Sequence, residues 1–480
     1  MLFNSIEFLI FLPIVFLLYW YVFQEVKIQN LFLVVVSYIF YGWWDWRFLI
    51  LIAATSLSSF ITGILVGHYE GRRFWQRIWN IVNIILNLSI LCIFKYYNFF
   101  VENLNSLCGM FGYHLDWVTM EVILPVGISF YTFQALSYTI DIYRGDIKPT
   151  RDIVAFFSYI SFFPQLVAGP IERAKNLLPQ FFQKRLFEEW KLVDGLRQML
   201  WGFFKKLVIA DNCAFTVNSC WDSYAQLPGF TIIFICILFT FQIYCDFSGY
   251  SDIAIGCARL FGINLERNFN YPYYSKNISE FWRKWHMSLM TWLRDYIYIP
   301  LGGSRCSKWK VIRNTFIVFF ISGLWHGPNW TFIVWGLYHA CLISILIISN
   351  INTKKEKIIC NNHLLQNIKE TYHIIITFVF VVIGWTIFRA ENMEQFIELW
   401  KAILTNPFFN VNQIYGGLFI IHIIIMIIIE WLQRNKQHAL QFPNKGLFRY
   451  RSFRWAIYIT MYIYILTSIG QSQTFLYFQF

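Results

Sequence analysis

Apolar stretches alternate with short polar or basic segments along the whole chain. Twelve of these stretches approach the ~20 residues that a helix needs to cross the hydrocarbon core of a bilayer. They fall near residues 5–23, 28–48, 47–67, 79–99, 121–142, 197–217, 229–248, 311–327, 331–350, 371–388, 416–433 and 453–470. The pattern predicts an all-α, polytopic membrane protein. The first stretch lacks the basic flank and the cleavage site of a signal peptide, so we expect it to remain as a span.

Two other segments do not fit a simple span. Residues 152–169 are apolar with basic segments on both sides, and they include Phe162-Phe163-Pro164-Gln165. This pattern favours a re-entrant hairpin, because non-helical backbone at membrane depth is tolerated where protein or a cavity surrounds it. Residues 268–305 predict a helix with Ser279 as its N-cap. One face of that helix would carry Trp282, Trp285, Leu289 and Trp292. Its charges predict a position at the cytoplasmic surface, or dipping in from it.

Lysine and arginine fix the expected orientation, because short cytoplasmic loops are enriched in both. The segments expected in the cytoplasm are 68–73, 173–191, 305–313, 354–357 and 434–454, whereas 101–120 and 218–229 lack lysine and arginine and are expected outside. Both termini are then extracytoplasmic, including the tail Gln471–Phe480. With no internal repeat or linker, residues 1–480 are predicted to form a single membrane domain.

Composition agrees with this pattern, since only 14% of the residues are charged, against roughly 25% in soluble domains. Aromatic residues make up 21% of the chain, more than interfacial belts need, so many rings must fill the interior. The net charge of +12 lies in short loops, where it sets topology and meets anionic lipid head groups, and we expect no nucleic-acid partner. The 10 cysteines are scattered, and no His/Cys cluster has metal-ligand spacing, so neither a disulfide framework nor a metal site is expected.

The sequence Trp325-His326-Gly327 puts an imidazole into an otherwise apolar stretch. A titratable group is costly in lipid and by default marks a functional site. The alternative is a buried histidine that only bonds a neighbouring backbone. The functional interpretation is favoured, because Gly327-Pro328 break the helix beside the ring. An imidazole of pKa ~6.5 can take a proton from a hydroxyl and return it to a leaving group.

Other polar groups are weaker candidates. His286 is a second candidate site residue, and this role is favoured over the alternative of a surface position beside Arg283 and Lys284. His339 is expected to pack or to bond a backbone carbonyl. Asp246 and Asp252 could orient a histidine or pair with an arginine, and pairing is favoured. The chain has no Gly-x-Ser-x-Gly nucleophile elbow and no glycine-rich phosphate loop, so serine-hydrolase, ATPase and redox chemistry lack support.

Several motifs together resemble the membrane-bound O-acyltransferase (MBOAT) family, in particular its bacterial cell-surface polysaccharide branch, with alginate and peptidoglycan O-acetyltransferase subunits and the teichoic-acid D-alanyl transferase. They occur in order at residues 124–131, 168–171, 202–206, 245–250, 281–289, 298–304 and 323–327. The resemblance implies a helical shell around a transmembrane tunnel, with His326 as the essential catalytic residue and His286 as the second polar position. It also implies an acyl donor that enters from the cytoplasm, expected to be acetyl-CoA, with no permanently bound cofactor.

The C-terminal sequence resembles the terminal Phe-x-Tyr-Phe motif of these systems, which implies that Tyr477 relays the acyl group. The resemblance further implies residence in the bacterial inner membrane, an SGNH-type periplasmic partner and a cell-surface polysaccharide acceptor. Arg305, Lys308 and Lys310 are candidates to contact the phosphates of coenzyme A, although ordinary positive-inside residues would explain them too. A transporter or flippase, a D-alanyl transferase and a non-catalytic scaffold remain alternative functions.

Overall fold

The computed structural model of the chain describes residues 1–113, 119, 125–167, 169–349, 363–409, 417, 419–443, 445–468, 473 and 475–476, with side chains from 367 onward in the segment 363–409. The described residues contain helices and no strand. The helices of the N-terminal half are α1 (Ile6–Leu17), α2 (Val26–Gly42), α3 (Leu49–His68), α4 (Arg73–Leu91), α5 (Tyr97–Met110), α6 (Ile128–Arg144), α7 (Ile153–Ser161), α8 (Phe163–Leu166), α9 (Ala174–Leu177) and α10 (Glu189–Phe203). Those that follow are α11 (Asp211–Trp221), α12 (Gly229–Leu260), α13 (Ile278–Lys284), α14 (Met287–Leu293), α15 (Lys308–His326), α16 (Trp330–Ile348), α17 (His363–Arg389), α18 (Met393–Thr405), α19 (Phe419–Leu432) and α20 (Arg451–Ser468). The predicted all-α class is confirmed.

Among the residues that the structure describes, five helices are long and apolar enough to cross a membrane. They cover Trp46–His68, Arg73–Met110, Gly229–Leu260, Trp330–Ile348 and Asn367–Arg389. Three shorter apolar helices of the same described part cover Ile6–Val22, Val26–Gly42 and Phe419–Leu432. These helices support a multi-pass membrane protein.

Short π-helical segments extend or join several α-helices. Cys92–Tyr96 joins α4 to α5, and Phe204–Ala210 joins α10 to α11. The predicted spans at 79–99 and 197–217 therefore lie inside longer helices, Arg73–Met110 and Glu189–Trp221. A π segment accommodates an extra residue in the helix and often occurs at functional positions.

The chain divides into two compact units. The first contains Met1–Met199 and Ile253–Glu266, and the second contains Leu200–Asp252 and Arg267–Phe480. The single membrane domain predicted for residues 1–480 stays a prediction.

Polar side chains join three helices of the first unit. The Ser59 hydroxyl of α3 donates to Asn83 Oδ1 of α4 at 3.0 Å, and Asn83 Nδ2 donates to the Thr139 hydroxyl of α6 at 2.9 Å. All three residues are buried. Interhelical hydrogen bonds of this kind are a common means of association between apolar helices, whose association in lipid lacks a hydrophobic driving force.

The segment predicted to be re-entrant is broken in the middle. The nine residues of α7 rise about 13.5 Å, which is too short to cross a hydrocarbon core of ~30 Å. Helical geometry ends at Phe162, whose ψ is 108°, and resumes in α8, where Pro164 occupies the first turn and costs no hydrogen bond. This interruption is compatible with the predicted re-entrant path.

Glycines bring helices of the second unit into close contact. A Cβ at Gly336 of α16 would lie 2.2 Å from the Phe319 carbonyl oxygen of α15, and one at Gly323 would lie 2.4 Å from the Phe332 carbonyl oxygen. A Cβ at Gly249 of α12 would lie 2.8 Å from the Gly202 carbonyl oxygen. Small residues at such crossings allow backbones to approach closely.

The helix predicted within residues 268–305 is corrected in two respects. Its N-cap is Asn277 and not Ser279, because the Asn277 side chain accepts a hydrogen bond from the Glu280 N–H. The helix is also interrupted, since α13 ends at Lys284 and α14 starts at Met287. The face predicted for a continuous helix is therefore wrong, although its four apolar residues are all buried.

Candidate active site

His326 is the last residue of α15, and its ring lies in an aromatic enclosure. The imidazole contacts Trp325, Trp335 and Phe388 edge-on, at centroid distances of 5.0, 5.0 and 5.3 Å. The residue is only 5% exposed. The following Gly327 is required by packing, because a Cβ there would lie 2.5 Å from the Phe332 ring. The helix thus ends where a proton-transfer group meets an enclosed, apolar space.

His286 is held in a backbone conformation that few residues adopt. Its φ is 43° and its ψ is 53°, the left-handed region that non-glycine residues rarely occupy. Asn268 stabilises this conformation from two sides. Its carbonyl oxygen accepts from the Met287 N–H at 2.8 Å, and its side-chain oxygen accepts from the Ser288 hydroxyl at 2.9 Å. The conformation interrupts the helix and turns the His286 ring inward, where the residue is 1% exposed.

The hydrogen bond of His286 also assigns its tautomer. Nδ1 lies 3.0 Å from Asn268 Oδ1, and an amide oxygen can only accept, so Nδ1 carries the proton and Nε2 is an acceptor. Burial lowers the pKa of the His286 imidazole to about 3. The ring is therefore neutral at physiological pH.

The structure brings both predicted histidines into one cluster of rings. The Trp325 ring lies 5.8 Å from the His286 ring and 5.0 Å from the His326 ring. The cluster extends from His286 to Phe247, at 4.7 Å, and from Phe247 to Phe475, at 6.0 Å. His339 lies at its edge, packed on Trp282 at 4.9 Å and on Trp335 at 5.3 Å, so packing, one of its two expected roles, is what the structure shows.

Two buried lysines meet three carboxylates beside this cluster. The Lys205 ammonium lies 2.7 Å from Asp252, and the Lys206 ammonium lies 2.7 Å from Asp246 and 2.8 Å from Asp211. Asp246 and Asp252 are thus paired, as favoured, but their partners are lysines and not an arginine. The close approach of Gly249 to Gly202 explains this, because it sets α12 against the π-helical segment that carries both lysines.

The C-terminal tail reaches the same lysine and carboxylate. Lys206 Nζ donates to the Gln473 carbonyl oxygen at 3.1 Å, and the Leu476 N–H donates to Asp246 Oδ2 at 2.8 Å. Phe475 and Leu476 are 2% and 3% exposed. Tyr477, the predicted relay, lies outside the described residues, as does most of the tail.

A cavity of about 710 Å³ adjoins α13, α14, α15 and α16. Its cationic lining residues are Arg283, Arg294 and Lys308. Of the three predicted donor-binding residues, only Lys308 contributes to the lining. Arg305, in the loop before α15, and Lys310, in the first turn of α15, are exposed and do not line this cavity. Trp282 also lines the cavity, and its ring lies 5.4 Å from that of Trp335, a neighbour of His326.

The described residues form an all-α, apolar fold in which a buried histidine lies within an aromatic enclosure. Comparison with known families makes the class specific, because the model of MBOAT, the membrane-bound O-acyltransferase family, matches residues 148–393. The chain belongs to this family. It is therefore a multi-pass membrane O-acyltransferase, and the matched segment contains both His286 and His326.

Curated relatives cover most or all of the chain. It is 40% identical to the probable alginate O-acetylase AlgI of Pseudomonas aeruginosa over 84% of this chain and 75% of that protein. It is 32% identical to the peptidoglycan O-acetyltransferase of Helicobacter pylori over 100% of this chain and 98% of that protein. The teichoic acid D-alanyltransferase of Bacillus subtilis is 31% identical over 56% of this chain and 70% of that protein.

Proposed function

We propose that the chain moves an acetyl group from a cytoplasmic thioester, acetyl-CoA, through the membrane for O-acetylation of a cell-surface polysaccharide. The observation that carries this proposal is the continuous series of ring contacts from Phe475 of the tail through Phe247, His286 and Trp325 to His326. It supports the proposal because Phe475 stands only two residues before Tyr477 along the chain.

The acceptor class is inferred from the relatives. The Pseudomonas protein is named for alginate and the Helicobacter protein for peptidoglycan, and both are named as O-acetyl-transferring proteins. An alginate-like exopolysaccharide or peptidoglycan is therefore the acceptor that we propose. The likeness to a D-alanyltransferase covers a smaller part of this chain and supports the acyl-transfer chemistry more than the acyl group.

In the proposed first step His326 acts as general base. It takes the proton of the Tyr477 hydroxyl, whose ordinary pKa of ~10 requires such help. The phenolate oxygen attacks the thioester carbonyl carbon, the C–S bond breaks, and the leaving thiolate takes the proton back from the imidazolium. The products are a tyrosyl acetate and coenzyme A. His286, neutral and fixed by Asn268, borders the same cluster and presents Nε2 as an acceptor.

The cavity beside Lys308 is the donor site that we propose. Three cationic side chains of its lining suit the phosphates of coenzyme A, and Trp282 of the same lining contacts Trp335, which borders His326. The thioester would then approach the histidine while the charged nucleotide stays at the expected cytoplasmic side.

In the second step the acetyl group passes from the tyrosyl ester to a hydroxyl of an SGNH-type periplasmic partner or of the polysaccharide. This step requires the C-terminal tail to face the periplasm from the inner membrane, and the distribution of lysine and arginine predicts that both termini do so. The Tyr477 oxygen takes up the proton of the acceptor hydroxyl, which regenerates the free tyrosine.

Replacement of Tyr477 by Phe tests the relay, because it removes one oxygen and keeps the ring. The purified protein is incubated with isotopically labelled acetyl-CoA, and the C-terminal peptide is weighed by mass spectrometry. We expect a labelled acetyl group on the parental peptide, none on the Tyr477→Phe peptide, and loss of polymer acetylation. Full polymer acetylation by the variant would exclude the relay and leave direct transfer from the donor.

A further inference from the structure

The tail is held through its backbone. Lys206 contacts the carbonyl of Gln473, and Asp246 contacts the N–H of Leu476. Lys206 and Asp246 are themselves 2.7 Å apart. A carbonyl and an N–H of the tail, three residues apart along the chain, thus bond to the two members of one ion pair.

The surroundings make this contact selective for an uncharged segment. Lys206, Asp246 and Asp211 are all at most 3% exposed. The cluster holds one ammonium and two carboxyl groups, so it has more acceptor oxygens than the single ammonium can satisfy, and an N–H donor from the tail can bond to one of them. The tail from Gln471 to Phe480 contains no charged residue. Burying an additional charge there would be costly, whereas backbone dipoles add none.

One side chain of the tail adds to the contact. The Phe475 ring lies 4.7 Å from the Tyr250 ring and 6.0 Å from the Phe247 ring. Both partners lie on α12, the helix that carries Asp246. Helix α12 therefore supplies a carboxylate that binds the tail backbone and two rings that pack on the Phe475 side chain.

We propose that the Lys206–Asp246 ion pair, with Phe247 and Tyr250, forms a docking site that fixes the register of the C-terminal tail. These are positioning residues, because they act through the tail and not on the acyl group. The docking site stands on the described contacts, and only its consequence for catalysis, the placement of Tyr477, rests on the proposed relay.

The docking site is tested by hydrogen–deuterium exchange of the protein in lipid nanodiscs, without substrate. Asp246→Asn leaves one carboxamide oxygen where two acceptors are needed, so it breaks the Lys206 or the Leu476 contact. We expect the amides of the C-terminal peptide to exchange roughly ten- to a hundredfold faster, as for loss of a hydrogen bond to a charged group. Peptides from the rest of the chain should exchange at the parental rate.

Two matched variants control for the contact itself. Gln473→Ala removes the side chain and keeps the carbonyl that Lys206 contacts, so tail exchange should stay parental. Tyr244→Phe removes a hydrogen bond to another buried carboxylate, Glu430, at 2.9 Å, and should leave the tail unaffected. Unchanged tail exchange in Asp246→Asn, or equal acceleration in either control, would overturn the proposal.

A variant of the tail alone covers the case in which Asp246→Asn does not fold. Phe475→Ala leaves the ion pairs intact and removes the ring between Tyr250 and Phe247, so it should accelerate tail exchange in the same way. Parental exchange in this variant would contradict the docking site.

Activity then separates docking from the relay. With acetyl-CoA, Asp246→Asn should lower kcat for polymer acetylation and leave the donor KM unchanged, because the donor cavity has other lining residues. If hydrogen exchange of the tail accelerates in Asp246→Asn while Tyr477→Phe keeps full activity, the docking site is supported and the relay is excluded. If acetyl-CoA labels the tail but Asp246→Asn does not change hydrogen exchange of the tail, the relay is supported and the docking site is excluded.

Discussion

At the scale of single residues, the two candidate histidines are held in different ways. His326 is held by ring contacts at the end of a helix, and His286 by hydrogen bonds that fix its tautomer and an unusual backbone conformation. The left-handed conformation of His286 costs conformational energy, and such cost is concentrated at functional positions.

Replacement of His326 by Ala should lower acetyl transfer about a hundred- to ten-thousandfold, the usual contribution of a general base. Expression and membrane insertion should persist, because the surrounding rings of Trp335 and Phe388 remain packed on each other at 5.3 Å. Initial rates with labelled acetyl-CoA check the prediction. His373→Ala, an exposed histidine on α17, is the control and should keep the parental rate. A parental rate in the His326 variant would leave that residue only a structural role.

Acidification should destabilise the protein through His286. The folded pKa is about 3 because the ring is buried, against ~6.5 in an unfolded chain. Between these values the unfolded state binds more protons, so the free energy of unfolding falls as pH decreases, by about 1.4 kcal/mol per pH unit from this group. The contribution is complete above pH ~6.5 and is lost progressively towards pH ~3.

Melting temperatures in detergent at pH 7 to 4 check this effect. The comparison is His286→Asn, since asparagine does not titrate and tolerates the left-handed conformation. The melting temperature of the parent should fall more steeply than that of the variant below pH 6.5. Parallel curves would mean that another group controls acid stability.

At the scale of helices, Lys308 and Lys310 provide a matched pair at the start of α15. Only Lys308 lines the cavity. We expect Lys308→Met to raise the KM for acetyl-CoA roughly two- to fivefold at unchanged kcat, as for an exposed ion pair worth 0.2–1 kcal/mol. Lys310→Met should leave both constants parental. Equal effects, or none, would assign the basic loop to membrane topology alone.

The crossing of α15 and α16 gives a prediction about stability. Gly336→Ala would bring a Cβ to 2.2 Å from the Phe319 carbonyl oxygen, so one helix must move. Overpacking of this kind costs about 1–3 kcal/mol, and the melting temperature should fall. Gly109→Ala on α5 is the control, because nothing lies within 4 Å of its Cβ and alanine favours the helix. A melting temperature unchanged in Gly336→Ala would show that the crossing adapts freely.

The sequence predicted much of the helical content, because continuous apolar stretches leave few alternatives in a membrane. It failed where polar side chains compete with the helix. The break at Trp285–His286 depends on Asn268, which lies 18 residues before His286 and outside α13 and α14, so helical periodicity does not connect the two residues. An asparagine in an aromatic segment was the available signal. The lysine partners of Asp246 and Asp252 were also missed, although Lys205 and Lys206 stand in one of the quoted motifs.

At the scale of the whole chain, the candidate site draws on distant segments of the second unit. Residues near 205, 246, 286, 326 and 475 converge, and no local pattern predicts which of them meet. The sequence could identify several by residue type, since a charge or imidazole in an apolar stretch is unusual. The distances between these residues are set by the helix crossings. The crossings in turn depend on which glycines face a neighbouring helix in the folded chain.

The glycine contacts between α15 and α16 also limit how the enzyme can work. Carbonyl oxygens occupy the space where Cβ atoms would stand, so the two helices are in direct backbone contact, and sliding or hinging between them would open voids in the packing. His326 lies at the end of one of these helices. A carrier that alternates its access by rocking these helices apart would have to break that contact in every cycle. Under the proposed function the acyl group would instead be brought to a stationary His326, which suits handover between mobile substrates better than gated transport.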